Sequence, residues 1–133
     1  MIDHFGINCS DLDASADFYD AVLGSLGFSR QMDVGVAIGY GTEGHPDFWI
    51  SSWSGPIVNR EMHCAFTAPS VDAVAAFHST ALALGAESLH APRFWPEYHP
   101  GYYGAFVRDP DGNNVEAVCH HGAVEGADTG PIR

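Results

Sequence analysis

The chain repeats itself. Laid over itself so that His4 meets His63, it also aligns Asp13 with Asp72, Ala14 with Ala73, Phe18 with Phe77 and Leu23 with Leu82, and Gly27 with Gly85 after a short gap. A duplication of about half the chain limits the fold sharply, because each half must be one supersecondary unit and neither buries its apolar face alone. Both halves open on a short alternating segment, His4-Phe5-Gly6-Ile7-Asn8 and His63-Cys64-Ala65-Phe66-Thr67. Ser10 with Asp13 predicts an N-capping pair, and Ser70 sits in the equivalent place after Pro69. The spacing of Ala14, Phe18, Val22 and Leu26 predicts a helix near residues 11–24, and that of Val71, Val74, Ala81 and Leu84 a helix near 70–84. Gly27 and Gly85 are placed to end them. Strand-like pieces follow at 34–40, 47–52, 103–108 and 114–119, with Asp109-Pro110-Asp111-Gly112 as the last hairpin turn.

The unit is therefore βαβββ, twice. The expected fold class is α+β, two βαβββ modules forming a curved, cup-like mixed sheet with helices outside. One domain is expected over 1–121, with modules at about 1–57 and 60–121 and a flexible tail over 122–133, where Gly, Pro and small polar residues gather.

Composition narrows the function. At 133 residues the chain has the length of one ordinary domain, and 46% apolar residues against 17% charged fits a globular chain rather than a disordered one. No apolar run approaches the roughly 18 residues of a membrane span. Met-Ile-Asp-His-Phe has neither a basic region nor an apolar one after it, so no signal peptide is expected and the expected location is cytoplasmic. Five basic and seventeen acidic residues give a net charge of −12, and every base is Arg. Nucleic acid and anionic membrane are thus poor partners, and chemistry that needs a Lys is absent. Cys9, Cys64 and Cys119 lack any C-x-x-C spacing and read as free thiols in a reducing compartment.

Eight His in a chain this short are the chemical hint. His4 and His63 begin equivalent strands, and Glu116 falls in the last strand of the second unit. Should the two units form one curved sheet, the three can converge on its concave face as a two-His, one-carboxylate set, which suits Fe(II), Zn, Mn or Ni. Two satisfied strand histidines and a solvated carboxylate are the other reading of the same residues. Strand alternation turns Cys64, Cys9 and Cys119 away from the ligand face. It gives Asn8 and Thr67 the phase of the two His, and His120 the phase of Glu116, as pocket residues.

The sequence resembles the glyoxalase / bleomycin resistance protein / extradiol dioxygenase superfamily, also called vicinal oxygen chelate proteins. The resemblance spans residues 2–120 and rests on IDHFGINCSDLDASADFYDAVLGSLGF, HCAFTAPSVDAVAAFH and YYGAFVRDPDGNNVEAVCH, the last with the Asp-Pro-Asp-Gly-x-x-x-Glu arrangement typical of these proteins. It implies paired modules around one divalent metal per chain, with His4, His63 and Glu116 matching three ligand positions, and a homodimer. The departures matter too. Glyoxalase I enzymes use a fourth ligand in the last strand of the first module. Matching Asp47-Phe48-Trp49-Ile50 to Asn114-Val115-Glu116-Ala117 puts Trp49 there, with Asp47 two residues away and in phase. Fosfomycin-resistance transferases bind a phosphonate with cationic groups, whereas this chain has no Lys and carries Glu125 where their Arg is expected. Most extradiol dioxygenases are twice as long.

The stretch Phe94-Trp95-Pro96-Glu97-Tyr98-His99-Pro100-Gly101-Tyr102-Tyr103 predicts a semi-rigid aromatic loop. It either covers a pocket, with Tyr98 and His99 as acid or base beside Glu116, or serves as an apolar plug or dimer contact. Trp49, Tyr102 and Trp53 are further pocket candidates. The leading expectation is a small metal-dependent enzyme, isomerase- or lyase-like, acting on a small molecule with vicinal oxygens and distinct from true glyoxalase I. Ring-cleaving dioxygenation is the alternative within enzymes. A metal-free protein that sequesters a cationic drug, as in bleomycin resistance, is the alternative outside them.

Overall fold

The computed structural model describes residues 1–56 and 61–122. The first module runs β1 (Phe5–Cys9), α1 (Leu12–Gly24), β2 (Ser29–Asp33), β3 (Ala37–Thr42) and β4 (His45–Ser52). The second runs β5 (His63–Thr67), α2 (Val71–Ala83), β6 (Ser88–Phe94), β7 (Tyr103–Arg108) and β8 (Asn114–Cys119). Their sheets have the same topology, β1-β4-β3-β2 and β5-β8-β7-β6, each with its first and last strands parallel and the other neighbours antiparallel. The strands form two four-stranded sheets, one per module. The tail from residue 123 onward, and Glu125 within it, lie outside the described residues.

Two of these strands carry little sequence signal. β2, Ser-Arg-Gln-Met-Asp, is an edge strand with no buried residue, so it has no apolar alternation to read. β6, the other edge, contains Pro92 and two breaks in register with β7. The predicted strand at 34–40 begins later, at Ala37, because Gly35 turns the chain at positive φ and the Val34 N–H closes onto the Ala37 carbonyl.

The helix boundaries match the expectation, but the first cap does not. Asp11 is the N-cap of α1, accepting from the Ala14 N–H at 3.1 Å, and it brings a carboxylate to the positive end of the helix. Ser10 instead reaches across to the other module, its hydroxyl donating to Oδ1 of Asp111 at 2.6 Å. Ser70 does cap α2, accepting from Ala73 at 3.1 Å. Of the predicted apolar stripes, Ala14 and Leu84 are exposed, while Ser15, Tyr19 and Leu23 on α1 and Phe77 on α2 are buried.

One core serves both modules. Ile7, Cys9, Ile38, Tyr40, Phe48 and Ile50 of the first sheet join Val107, Val115, Ala117 and Cys119 of the second around Phe18, Tyr19, Val22, Val74 and Phe77 of the helices. Phe48 of β4 meets Phe66 of β5 edge-on at 5.0 Å between ring centroids. All three Cys turn toward this core, Cys9 and Cys119 fully and Cys64 in part. Burial pushes the Cys64 thiol up to about 11. Alternation has a consequence for function. Asn8 and Trp49 of the first sheet and Glu116 of the second lie between these core positions, with His4 just before β1 and His63 opening β5 in the same phase, so they sit on faces turned away from the shared core.

The Asp-Pro-Asp-Gly turn fastens the modules together. Its N–H to carbonyl bond runs from Gly112 to Asp109 at 3.0 Å, with Gly112 at φ 85°. The buried Asp109 carboxylate accepts from the Asp111 and Asn113 backbone N–H groups, the Asn113 amide and the Tyr19 hydroxyl. Hydrogen bonds to a charged acceptor of this kind are worth roughly 1.5–3 kcal/mol each.

Candidate functional site

Glu116 is the centre of the second face. It lies in β8 opposite Ala65 of β5 and Phe106 of β7, and only 2% of its surface is exposed. Burial raises its carboxyl above the ordinary Glu value, although bonds from Tyr102 and His63 act the other way. The Tyr102 hydroxyl donates to Oε2 in a short contact, and burial together with that carboxylate drives the phenol pKa up. Space for this pair comes from Gly104, where a Cβ would stand 3.1 Å from Glu116 Oε2 and 3.2 Å from the Tyr102 ring.

His63, at the head of β5, brings Nε2 to 3.1 Å from Glu116 Oε1, while its Nδ1 lies 3.2 Å from the Asn114 carbonyl. Both ring nitrogens therefore face acceptors. A neutral imidazole has one N–H, so Nδ1 donating to the carbonyl leaves two lone pairs meeting between Nε2 and Oε1 unless a proton or a cation stands there. The arrangement suits a shared proton or a divalent cation: a buried carboxylate facing an imidazole that a backbone carbonyl orients through its second nitrogen. Among the described residues, no group of three or more His, Cys, Asp or Glu converges as a complete metal site.

Around this pair stands a wall of rings. Phe106 stacks on His63 at 5.9 Å and meets His90 at 5.4 Å and Trp95 at 5.2 Å. Trp95 is buried, with its indole N–H donated to the Gly104 carbonyl at 3.0 Å, so the aromatic segment is pinned back onto the sheet. Tyr98 stacks on Trp95 at 5.7 Å and is 58% exposed. His99 and His120 meet Nε2 to Nδ1 at 2.9 Å, each with its ring edge-on to Tyr102.

The first face carries the remaining sequence-predicted residues. His4 lies just before β1, its Nδ1 2.7 Å from Asp3 Oδ1. It lines a cavity of about 390 Å³ with His45, Pro46, Trp49 and Ser51. Trp49 is paired with Gly6, whose repeat mate Ala65 is paired with Glu116, so Trp49 does occupy the first-module counterpart of the Glu116 position. Its ring lies across Gly39, where a Cβ would come within 2.9 Å of it. Asp47 is engaged by His45 at 2.8 Å. Asn8 is exposed opposite Ser51. Thr67 lines a separate cavity of about 190 Å³ with Leu23, Tyr40 and Phe66. Trp53 is half exposed and donates to the Pro56 carbonyl, in neither the core nor the site.

The chain thus brings together His63, Glu116, Tyr102, His99 and His120, and leaves His4, Trp49 and Asn8 on the other face. Sequence reasoning missed Phe106, His90, Gly104 and His45. The phase of Phe106 and Gly104 was readable once β7 is registered against Glu116, whereas His90 falls in a strand with broken register.

Duplicated βαβββ modules, each with a His at or before its first strand, and a buried Glu paired with a half-exposed His in the second define a known class of protein. A family model described as Glyoxalase/Bleomycin resistance protein/Dioxygenase superfamily matches residues 1–117, and the chain belongs to that superfamily. Among solved structures it is similar to a glyoxalase/bleomycin resistance protein from Albidiferax ferrireducens T118, at 30% identity and a TM-score of 0.73 over 86% of this chain and 95% of that one. Lactoylglutathione lyase from Agrobacterium tumefaciens shares the fold at 22% identity and a TM-score of 0.62, covering 89% and 92% of the two chains. The oxidase ChaP-H1 does so at 18% and 0.65, covering 96% and 98%. No curated protein matches by sequence. Among the described residues, no helix is long and apolar enough to cross a membrane.

Proposed function

We propose that this chain is a divalent-metal enzyme acting on a small substrate with two adjacent oxygens, in an isomerase- or lyase-like reaction. The observation that carries the reading is the His63–Glu116 pair, in which a buried carboxylate and a carbonyl-oriented imidazole face each other at 3.1 Å. His63 and Glu116 would hold the metal, with His4 as third ligand. A divalent cation there would supply Lewis acidity toward a substrate oxygen. Tyr102 fixes the Glu116 carboxylate through Oε2 and leaves Oε1 on the His63 side. Phe106, backed by Trp95, covers one face of the His63 ring on that flank.

Because the His4 face and the Glu116 face both turn away from the core, His4 must come from a second copy. The enzyme is then a homodimer with two shared sites. Trp49, in the place of a fourth ligand, leaves coordination positions for the two substrate oxygens. Arg30, Arg93 and Arg108 are all bound to carboxylates, so none of these three is free to receive the carboxylates of glutathione. Weak or no turnover of the glutathione hemithioacetal of methylglyoxal is expected.

Metal analysis after anaerobic purification tests the reading. One divalent ion per chain is expected in the wild type and much less in His63→Ala and Glu116→Ala. Equal occupancy in all three would sink it. The ring wall beside His63 favours ring-cleaving dioxygenation as a second reading. An iron-loaded sample that cleaves catechol in air would support that alternative over the isomerase.

A further inference from the structure

We infer that His120, held by His99, is the base that moves the substrate proton, and that His99 acts only by positioning it. The inference rests on the metal-enzyme reading above and assigns the proton-transfer group within it. The proton directions follow from an acceptor that cannot donate. His99 Nδ1 lies 2.7 Å from the Pro100 carbonyl, so Nδ1 carries the hydrogen. A neutral His99 then presents its lone pair at Nε2, 2.9 Å from His120 Nδ1, and His120 must donate there. Its own lone pair is left at Nε2, which has no hydrogen-bond partner among the described residues. Both rings are thus held as the Nδ1–H tautomer, the less common one for a free histidine side chain.

The pair is braced for this role. The His99 carbonyl accepts from the Tyr102 N–H at 3.3 Å, and Gly122 bonds to Gly101 at 2.9 Å just beyond His120, tying the end of β8 to the loop. When Nε2 of His120 takes a proton, Nδ1–H still points at His99, so the bond becomes charge-assisted instead of being lost. A base oriented by a second group through its other nitrogen is a recurring catalytic arrangement.

The other groups on this face are less suited. Glu116 has one oxygen bound by Tyr102 and the other against His63. The Tyr98 ring is stacked on Trp95, and no second group orients its hydroxyl among the described residues. On an α-hydroxy carbonyl substrate, His120 Nε2 would take the proton from the carbon bearing the hydroxyl. The C–H electron pair becomes the carbon–carbon double bond of an enediolate, and the carbonyl oxygen takes the charge. Return of the same proton to the neighbouring carbon, with the hydroxyl proton passing to the former carbonyl oxygen through solvent, gives the isomer with no oxidant or reductant.

The test has two arms. In the first, nitrogen-15 NMR of the His rings is recorded on the protein without added metal. His120 is expected as Nδ1–H in the wild type, as Nε2–H in His99→Ala, and as Nδ1–H again in His99→Gln, whose amide oxygen can accept where Nε2 did. Wild-type His120 found as Nε2–H, or unchanged in His99→Ala, overturns the proposal. In the second, zinc-loaded protein is incubated with dihydroxyacetone in D₂O and exchange of carbon-bound hydrogen is followed. His120→Asn should keep its zinc and lose exchange at least a hundredfold, and His99→Gln should retain more exchange than His99→Ala. Full exchange in His120→Asn overturns the assignment. A wild type that binds zinc yet exchanges nothing overturns the base and leaves the metal site standing, whereas a wild type that binds no metal overturns the enzyme reading itself.

Discussion

The Tyr19 hydroxyl donates to Oδ2 of Asp109 at 2.7 Å, joining helix α1 of the first module to the β7–β8 turn of the second in a fully buried contact. Asp109 also holds its own turn through the Asp111 and Asn113 N–H groups. Tyr19→Phe removes one donor and leaves the turn intact, so it should cost about 1.5–3 kcal/mol in urea unfolding. Asp109→Ala strands several buried donors and should cost about 3 kcal/mol or more. Equal effects of the two substitutions would contradict this ranking.

A pH dependence follows from Asp20. Arg30 grips both its oxygens at 2.8 Å, with Tyr40 donating to Oδ1, and the Arg30 bonds hold its carboxyl below the usual value of 3.8. The unfolded chain therefore binds a proton that the folded one refuses, so this contribution is present at neutral pH and lost as pH falls through 3.8 toward the lower native value. Asp20→Asn should lower the urea midpoint at pH 7, and its deficit should shrink below that point. A deficit that stays constant down to the acid limit of folding would contradict the pairing.

Gly104 tests the geometry around Glu116. Gly104→Ala places a methyl group 3.1 Å from Oε2 and 3.2 Å from the Tyr102 ring, so carboxylate and phenol must shift by a few tenths of an ångström, which strains their short contact. The expected result is a modest loss of stability, about 1 kcal/mol, with a larger loss of metal affinity measured by calorimetry. Unchanged metal binding would show that Tyr102 does not fix Glu116.

Much of this was legible in the sequence because it follows from alternation and repetition. The match of His4 with His63 exposed the duplicated unit, and the phase of Cys64 against His63 turned that thiol away from the ligand face. The Asp-Pro-Asp-Gly turn read correctly as a hairpin, but its second role, receiving Tyr19 and Ser10 from the other module, depends on tertiary packing that no local pattern carries. β2 was hidden because an exposed edge strand has no apolar period. The joining of His99 to His120 also escaped, since it depends on the loop folding back under Trp95. The largest gap was orientation: the repeat suggests that its two His converge, but it does not say that each faces away from the core of its own chain.

Mixing two inactive variants tests that last point most directly. If His4 of one copy serves His63 and Glu116 of another, a dimer of His4→Ala with Glu116→Ala contains one site with both defects and one with none. Native mass spectrometry of the two proteins, unfolded together and refolded with zinc, should show each variant alone nearly metal-free. The mixed dimer should carry one tightly held ion. If mixing restores no metal, or if the wild type is a monomer that holds its metal alone, the shared site is wrong.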